Sequence, residues 1–161
     1  MFNKRLAICM MLLLATLTGS GQKVITNYIN KFLPVAKDLS GEFGIPVSIL
    51  LGVSILESGS GTSKNCRQLN NYFGVTGRNH LKKRHSVYKQ YISAEESFRD
   101  FCGILSRKNF YPGLKSNMTY SKWLAAMIHA GYAGAKNVWI TRITSLIKKY
   151  KLNHYDKGNL N

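Results

Sequence analysis

The chain has 161 residues, 23 of them basic and seven acidic, a net charge of +16 and 45% hydrophobic residues. That hydrophobic content excludes a disordered chain, and the length sets one domain. The positive field selects polyanionic partners, with nucleic acid and an anionic bacterial wall as the candidates.

Met1 to Gly21 reads as a secretory signal peptide. Lys4 and Arg5 supply its positive start. Leu6 to Leu17 is an apolar stretch too short to span a bilayer comfortably, and the small residues Thr18 to Gly21 precede a cut before Gln22. An uncleaved anchor is the alternative; a lipid anchor lacks a cysteine at the end of the apolar stretch. The expected organisation is a leader over 1–21, a working domain over 22–153 and a flexible tail over 154–161. The protein is then exported, to the periplasm or the extracellular space, with no stable membrane insertion after cleavage. About 140 residues remain, enough for a real core. Export favours the wall over nucleic acid, and the chain has neither zinc-ligand spacing nor a recognition-helix signature. A monomer without metal or cofactor is expected.

Lys23 to Phe43 carries Val24, Ile25, Tyr28, Ile29, Phe32, Val35, Ala36, Leu39 and Phe43 at helical spacing. Pro34 is expected to kink or split this helix, and Gly41 and Gly44 to close it. Pro46 then opens PVSILLGVSILESGSGTS, the stretch around which the chain is organised. Its apolar positions do not keep to one stripe, so it reads as a buried central helix. Glu57 stands at its end, where Gly59 and Gly61 break it. A lone carboxyl where a buried helix emerges into a glycine turn suits a general acid. The bland alternative is a glutamate that points to water.

Cys66 and Cys102 can pair in an oxidising compartment or remain separate buried thiols. Asn70 to Ile92 is rich in strand formers (Tyr72, Phe73, Val75, Val87, Tyr88, Tyr91, Ile92), with turn residues between them. It predicts a short hairpin lobe with a basic tip, Arg78 to His85. Ser93 opens the next helix, with Glu96 three residues on as a capping box. A helix from Thr119 or Ser121 runs through Ile128 and breaks at HAGYAG, residues 129–134. Lys136 to Tyr150 is the last helix. On it, Trp139 is core or groove lining, and Asn153 to Asn161 reads as a frayed tail.

Three motifs stand in order: ESGSGTS from Glu57, NNYFGV from Asn70, and GYAG from Gly131. The order resembles glycoside hydrolase family 73, the bacterial peptidoglycan N-acetylglucosaminidases, which include autolysins and the hydrolase domain of flagellar rod-cap proteins. The likeness spans roughly Ile25 to Leu152. It implies a lysozyme-like α+β fold, mostly α, whose helical lobe and small β-hairpin lobe flank a glycan groove. It implies Glu57 as the catalytic acid, with Asn71, Phe73 and Tyr132 binding substrate. Asn71 would bond sugar hydroxyls or acetamido groups, Phe73 would pack on a sugar face, and Tyr132 would orient an acetamido group. Residue by residue, the alternatives are a turn asparagine, a core phenylalanine and a buried, satisfied tyrosine.

The pattern departs from the usual pair of glycosidase carboxyls, because no acid lies between Glu57 and Glu95. The favoured reading is substrate-assisted cleavage of the β-1,4 bond on the reducing side of N-acetylglucosamine in peptidoglycan. A muramidase or lytic transglycosylase, or a catalytically weak peptidoglycan-binding protein, is the alternative.

Overall fold

The computed structural model describes residues 4–81, 86–132 and 136–157, apart from the side chains of residues 4–20 and of residue 157. The expected leader therefore lies almost wholly outside the described side chains, as do the basic residues 82–85 and the motif residues 133–134.

Seven α-helices and a closing 3-10 turn make up the described chain. α1, Lys4–Phe43, passes through Pro34 without a break. The missing proline N–H is outweighed because α1 buries Tyr28, Ile29, Phe32, Ala36 and Leu39 against α2 (Val47–Ser58) and α4 (Ala94–Ser106). Gly44, not Gly41, ends the run.

α2 is the axis of the molecule. Every residue from Val47 to Ile55 is buried, and the helix packs against α1, α6 (Tyr120–His129), α7 (Lys136–Lys149) and the 3-10 helix Leu152–Lys157. Gly52 permits the closest of these approaches. A Cβ there would lie 3.1 Å from Ile143 and 3.2 Å from Ile147, the inner stripe of α7. The buried residues Trp139, Ile143 and Ile147 recur every four positions, so α7 lays one face along α2.

Two short helices fill gaps: α3, Lys64–Leu69, capped by the Ser63 hydroxyl at 3.2 Å, and α5, Tyr111–Leu114. α4 is capped by Ser93 as expected, while Glu96 accepts from the Ile92 N–H at 2.7 Å.

Of the expected β-hairpin lobe, the antiparallel approach of the two arms is present and regular strands are not. Among the described residues, 70–92 forms no strand, only one antiparallel bridge between Thr76 and Tyr88. Around that bridge the Gly77 N–H bonds Val87 O, the Lys89 N–H bonds Val75 O and the Gln90 N–H bonds Arg78 O, and asparagine amides brace the carbonyls beside them. Asn70 Nδ2 donates to Tyr91 O and Ile92 O, and Asn79 Nδ2 to Ser86 O and Tyr88 O. The segment is a cross-braced loop whose Tyr72, Phe73 and Tyr91 are buried.

The tail expected over 154–161 is not one at residues 154–156, which belong to the 3-10 helix. Leu152 is fully buried, and Asp156 accepts from the Ser48 N–H at 2.8 Å and the Ser48 hydroxyl at 2.7 Å. A carboxylate thus caps the positive end of α2; residues 158–161 lie outside the described residues. The possible disulfide is not formed: Cys66 on α3 and Cys102 on α4 are separate buried thiols. Burial raises the Cys66 thiol and pushes the Cys102 thiol up to about 12, so neither is a nucleophile. No described helix is long and apolar enough to cross a membrane.

Candidate active site

α2 delivers Glu57 to a cleft of about 340 Å³. The helix stops there because Gly59 adopts φ 57°, ψ 47°, and its N–H bonds back to Ile55 O. Ser63 N–H then bonds Ser58 O at 2.9 Å, folding the glycine turn away and leaving Glu57 exposed on the cleft rim.

α7 supplies the partner. Trp139 Nε1 donates to Glu57 Oε1 at 2.8 Å across 82 residues of sequence. An indole N–H can only donate, so it fixes Oε1 as an acceptor. The proton of a neutral Glu57 then belongs on Oε2. Oε2 faces Gly74, where an added Cβ would lie 3.6 Å from it and 3.9 Å from Tyr88 Cε1. With φ +69°, Gly74 keeps the space before the carboxyl open.

Tyr132 follows α6, which closes with the Tyr132 N–H on Met127 O at 3.0 Å. Its ring lies 5.4 Å from that of Trp139 and 5.7 Å from that of Phe101, and its hydroxyl donates to Phe73 O at 3.3 Å. Burial, with the Glu57 carboxylate adding to it, pushes the phenol well above its ordinary range. Tyr132 is therefore a hydrogen-bonding hydroxyl, not a base.

The other two predicted binding residues fare differently. Phe73 lines the cleft, but its ring is 3% exposed, stacked on Phe101 at 4.1 Å and edge-on to Phe98 at 4.8 Å. It forms the floor by packing. Asn71 is a correction. It is 2% exposed, and its amide is consumed within the protein: Nδ2 donates to Val75 O and Lys89 O, both at 2.8 Å, and Oδ1 accepts from the Val75 N–H. No donor is left for a sugar, so Asn71 holds the 71–75 turn that carries Phe73 and Gly74. Sequence reasoning left Trp139 open and passed over Tyr88. The signal for Trp139 was its place on the inner stripe of the last helix.

All seven acids lie among the described residues, and only Glu57 lines the cleft. Glu42 is bound to Arg99, Glu96 to the Ile92 N–H and Asp156 to Ser48. Burial opposes the charge on Asp100, but Lys89 at 2.8 Å and the Tyr91 hydroxyl at 2.7 Å outweigh it and hold the carboxyl below its ordinary range. The described side chains contain no cluster able to hold a metal ion. The cleft thus holds one carboxyl, bonded on one oxygen and open on the other, between the 70–92 loop and α6.

Residues 33–152 match the family model described as mannosyl-glycoprotein endo-beta-N-acetylglucosaminidase. The catalytic domain of the autolysin Auto from Listeria monocytogenes is similar in structure, with a TM-score of 0.69 and 23% identity, over 83% of this chain and 88% of that one. The glycoside hydrolase domain of Salmonella typhimurium FlgJ aligns with a TM-score of 0.63 and 25% identity, over 79% and 88% of the two chains. A chain of a type VI secretion system effector–immunity complex from Pseudomonas protegens aligns with a TM-score of 0.57 and 20% identity, over 80% and 94%. A search of curated proteins finds no match. The fold is the mostly helical, lysozyme-like one expected, and the chain belongs to the glucosaminidase family: it is a glycoside hydrolase, an endo-beta-N-acetylglucosaminidase.

Proposed function

We propose that the protein is an exported peptidoglycan hydrolase that cuts the β-1,4 bond on the reducing side of N-acetylglucosamine, with Glu57 as general acid and then base. The observation that carries this reading is that Glu57 is the one carboxyl of seven in the cleft, held on one oxygen by Trp139 and open on the other. A two-carboxylate route needs a second acid across the cleft, and each of the other six lies elsewhere in the molecule. The substrate's own acetamido oxygen fills that role. It attacks C1 as Glu57 protonates the leaving glycosidic oxygen, giving a cyclic oxazolinium. Water then opens the ring at C1 and gives its proton to Glu57. Tyr132 and Phe73 O lie together at the cleft wall, where the acetamido group would be held.

The leader over residues 1–21 and the working domain over 22–153 are part of this proposal. So is a monomer that binds glycan strands and no nucleic acid. The strong positive charge draws it to an anionic wall.

The test is digestion of purified peptidoglycan, with products reduced by borohydride and read by mass spectrometry. Wild type is expected to create reduced N-acetylglucosamine ends. Glu57→Gln, at an exposed position, is expected to keep the melting temperature and lose roughly 100- to 10,000-fold in rate. Reduced or anhydro N-acetylmuramic ends would replace the bond specificity with that of a muramidase or transglycosylase. Wall binding without products would leave a binding module.

A further inference from the structure

The Glu57 cleft does not end at Ala130. A second concavity of about 380 Å³ adjoins it and shares Lys108, Phe110 and Ala130 with it, so the two form one groove. The extension adds Arg107 and Asn109 from the end of α4 and His129 from the end of α6. Its charge is one-sided: Arg107, Lys108 and His129 are exposed, and no acid lines it. The described residues give Lys108 and His129 no hydrogen-bond or ion-pair partner for their side chains. Arg107 feels Asp100 only at longer range, and Asp100 is already bound to Lys89 and Tyr91. The basic hollow on the other side of the 70–92 loop differs. Glu96 lines it, and its Lys89 is paired with Asp100.

Uncharged N-acetylglucosamine gives an unpaired cationic end of a glycan groove nothing to bind. Alternating glycan strands of a wall do, because every second sugar bears a lactyl ether. Resting on the peptidoglycan reading above, we infer that Arg107 and Lys108, with His129 beside them, form a carboxylate subsite. It takes the acidic substituent of the N-acetylmuramic residue next to the cleaved bond. The carboxylate comes either from the free lactyl group or from the stem peptide attached to it. The subsite fixes register on the strand, because only alternate sugars can present the charge.

The test uses one glycan in two forms: peptide-bearing strands, and strands stripped by an amidase so that the lactyl carboxylate is free. Each is used as such and after carbodiimide amidation of its carboxyls. Wild type is expected to lose about tenfold in kcat/KM on amidation of whichever form supplies the carboxylate, since two exposed ion pairs are removed. High salt should shrink that difference. Arg107→Gln/Lys108→Gln is expected to start from the lower value and lose nothing further on amidation. The inference is overturned if the double variant matches wild type on unmodified strands, or if amidation slows both proteins equally. A wild type that cuts neither form, or a Glu57→Gln variant that cuts both, would instead overturn the peptidoglycan reading.

Discussion

Replacing Trp139 by Phe removes one hydrogen bond and little else. The indole donates to Glu57 Oε1 at 2.8 Å and is 8% exposed, so its N–H is a largely buried polar link between α7 and the end of α2. A hydrogen bond to a charged group contributes about 1.5–3 kcal/mol, which at about 1.4 kcal/mol per tenfold is about 10- to 150-fold in rate. Phe keeps the ring contact with Tyr132, so melting should fall only by the small cavity left, about 1–2 kcal/mol. The expected result is a fall in kcat with KM little changed, because the bond orients the acid without touching the sugar. Release of reducing ends from purified peptidoglycan gives kcat and KM, and a thermal melt run alongside controls for folding. Trp139→His, with a ring N–H able to donate, should recover part of the loss. A folded Trp139→Phe that keeps kcat within twofold would refute the assignment of Oε1 to the indole and Oε2 to the proton.

Gly74→Ala puts a methyl 3.6 Å from Glu57 Oε2 on a backbone with φ +69°; about 1–2 kcal/mol of stability should go, together with most activity, as read by melts and rate assays. Asn71→Ala strands the Val75 N–H and Lys89 O, while Val75 O keeps the Lys89 N–H, so it should lower stability by about 2–4 kcal/mol in urea; a normal midpoint with only KM raised would restore Asn71 as a sugar ligand. Asp156→Ala leaves the Ser48 N–H and hydroxyl buried and unpaired, and should lower stability by a similar amount. Burial raises the Asp156 carboxyl against the help of Ser48, so the folded chain holds that proton more tightly than the unfolded chain does. Its contribution is then greatest below the ordinary 3.8 and declines as pH rises through the raised value. Urea midpoints for wild type should accordingly fall relative to Asp156→Asn as pH climbs from 3 to 6, and a constant gap would refute the linkage.

The parts of the fold legible in the sequence are those set by local pattern. α2 could be read because a helix apolar all round can only be central, and Glu57 because glycine ends that helix within two residues. The hairpin lobe could not. Tyr72, Phe73 and Tyr91 are strand formers whose side chains are buried, while Asn70, Asn71 and Asn79 brace a pairing of the arms that stays at one bridge and a few backbone bonds. Nothing local separates an asparagine that braces a loop from one that binds a sugar. Pro34 in α1 and the docking of Asp156 were hidden because tertiary contact overrode a local rule. Trp139 was hidden for the same reason: its partner lies 82 residues away.

α2 is fastened at three points, and all three fasteners come from the far end of the described chain. Asp156 holds Ser48 across 108 residues, Ile143 and Ile147 close over Gly52, and Trp139 holds Glu57. Glu57 therefore leaves the ribosome long before the residues that orient it. A nascent chain, or one cut short before residue 139, carries the acid without the geometry. On the mechanism proposed for Glu57, the acid is held in place only once residues 139–156 have docked.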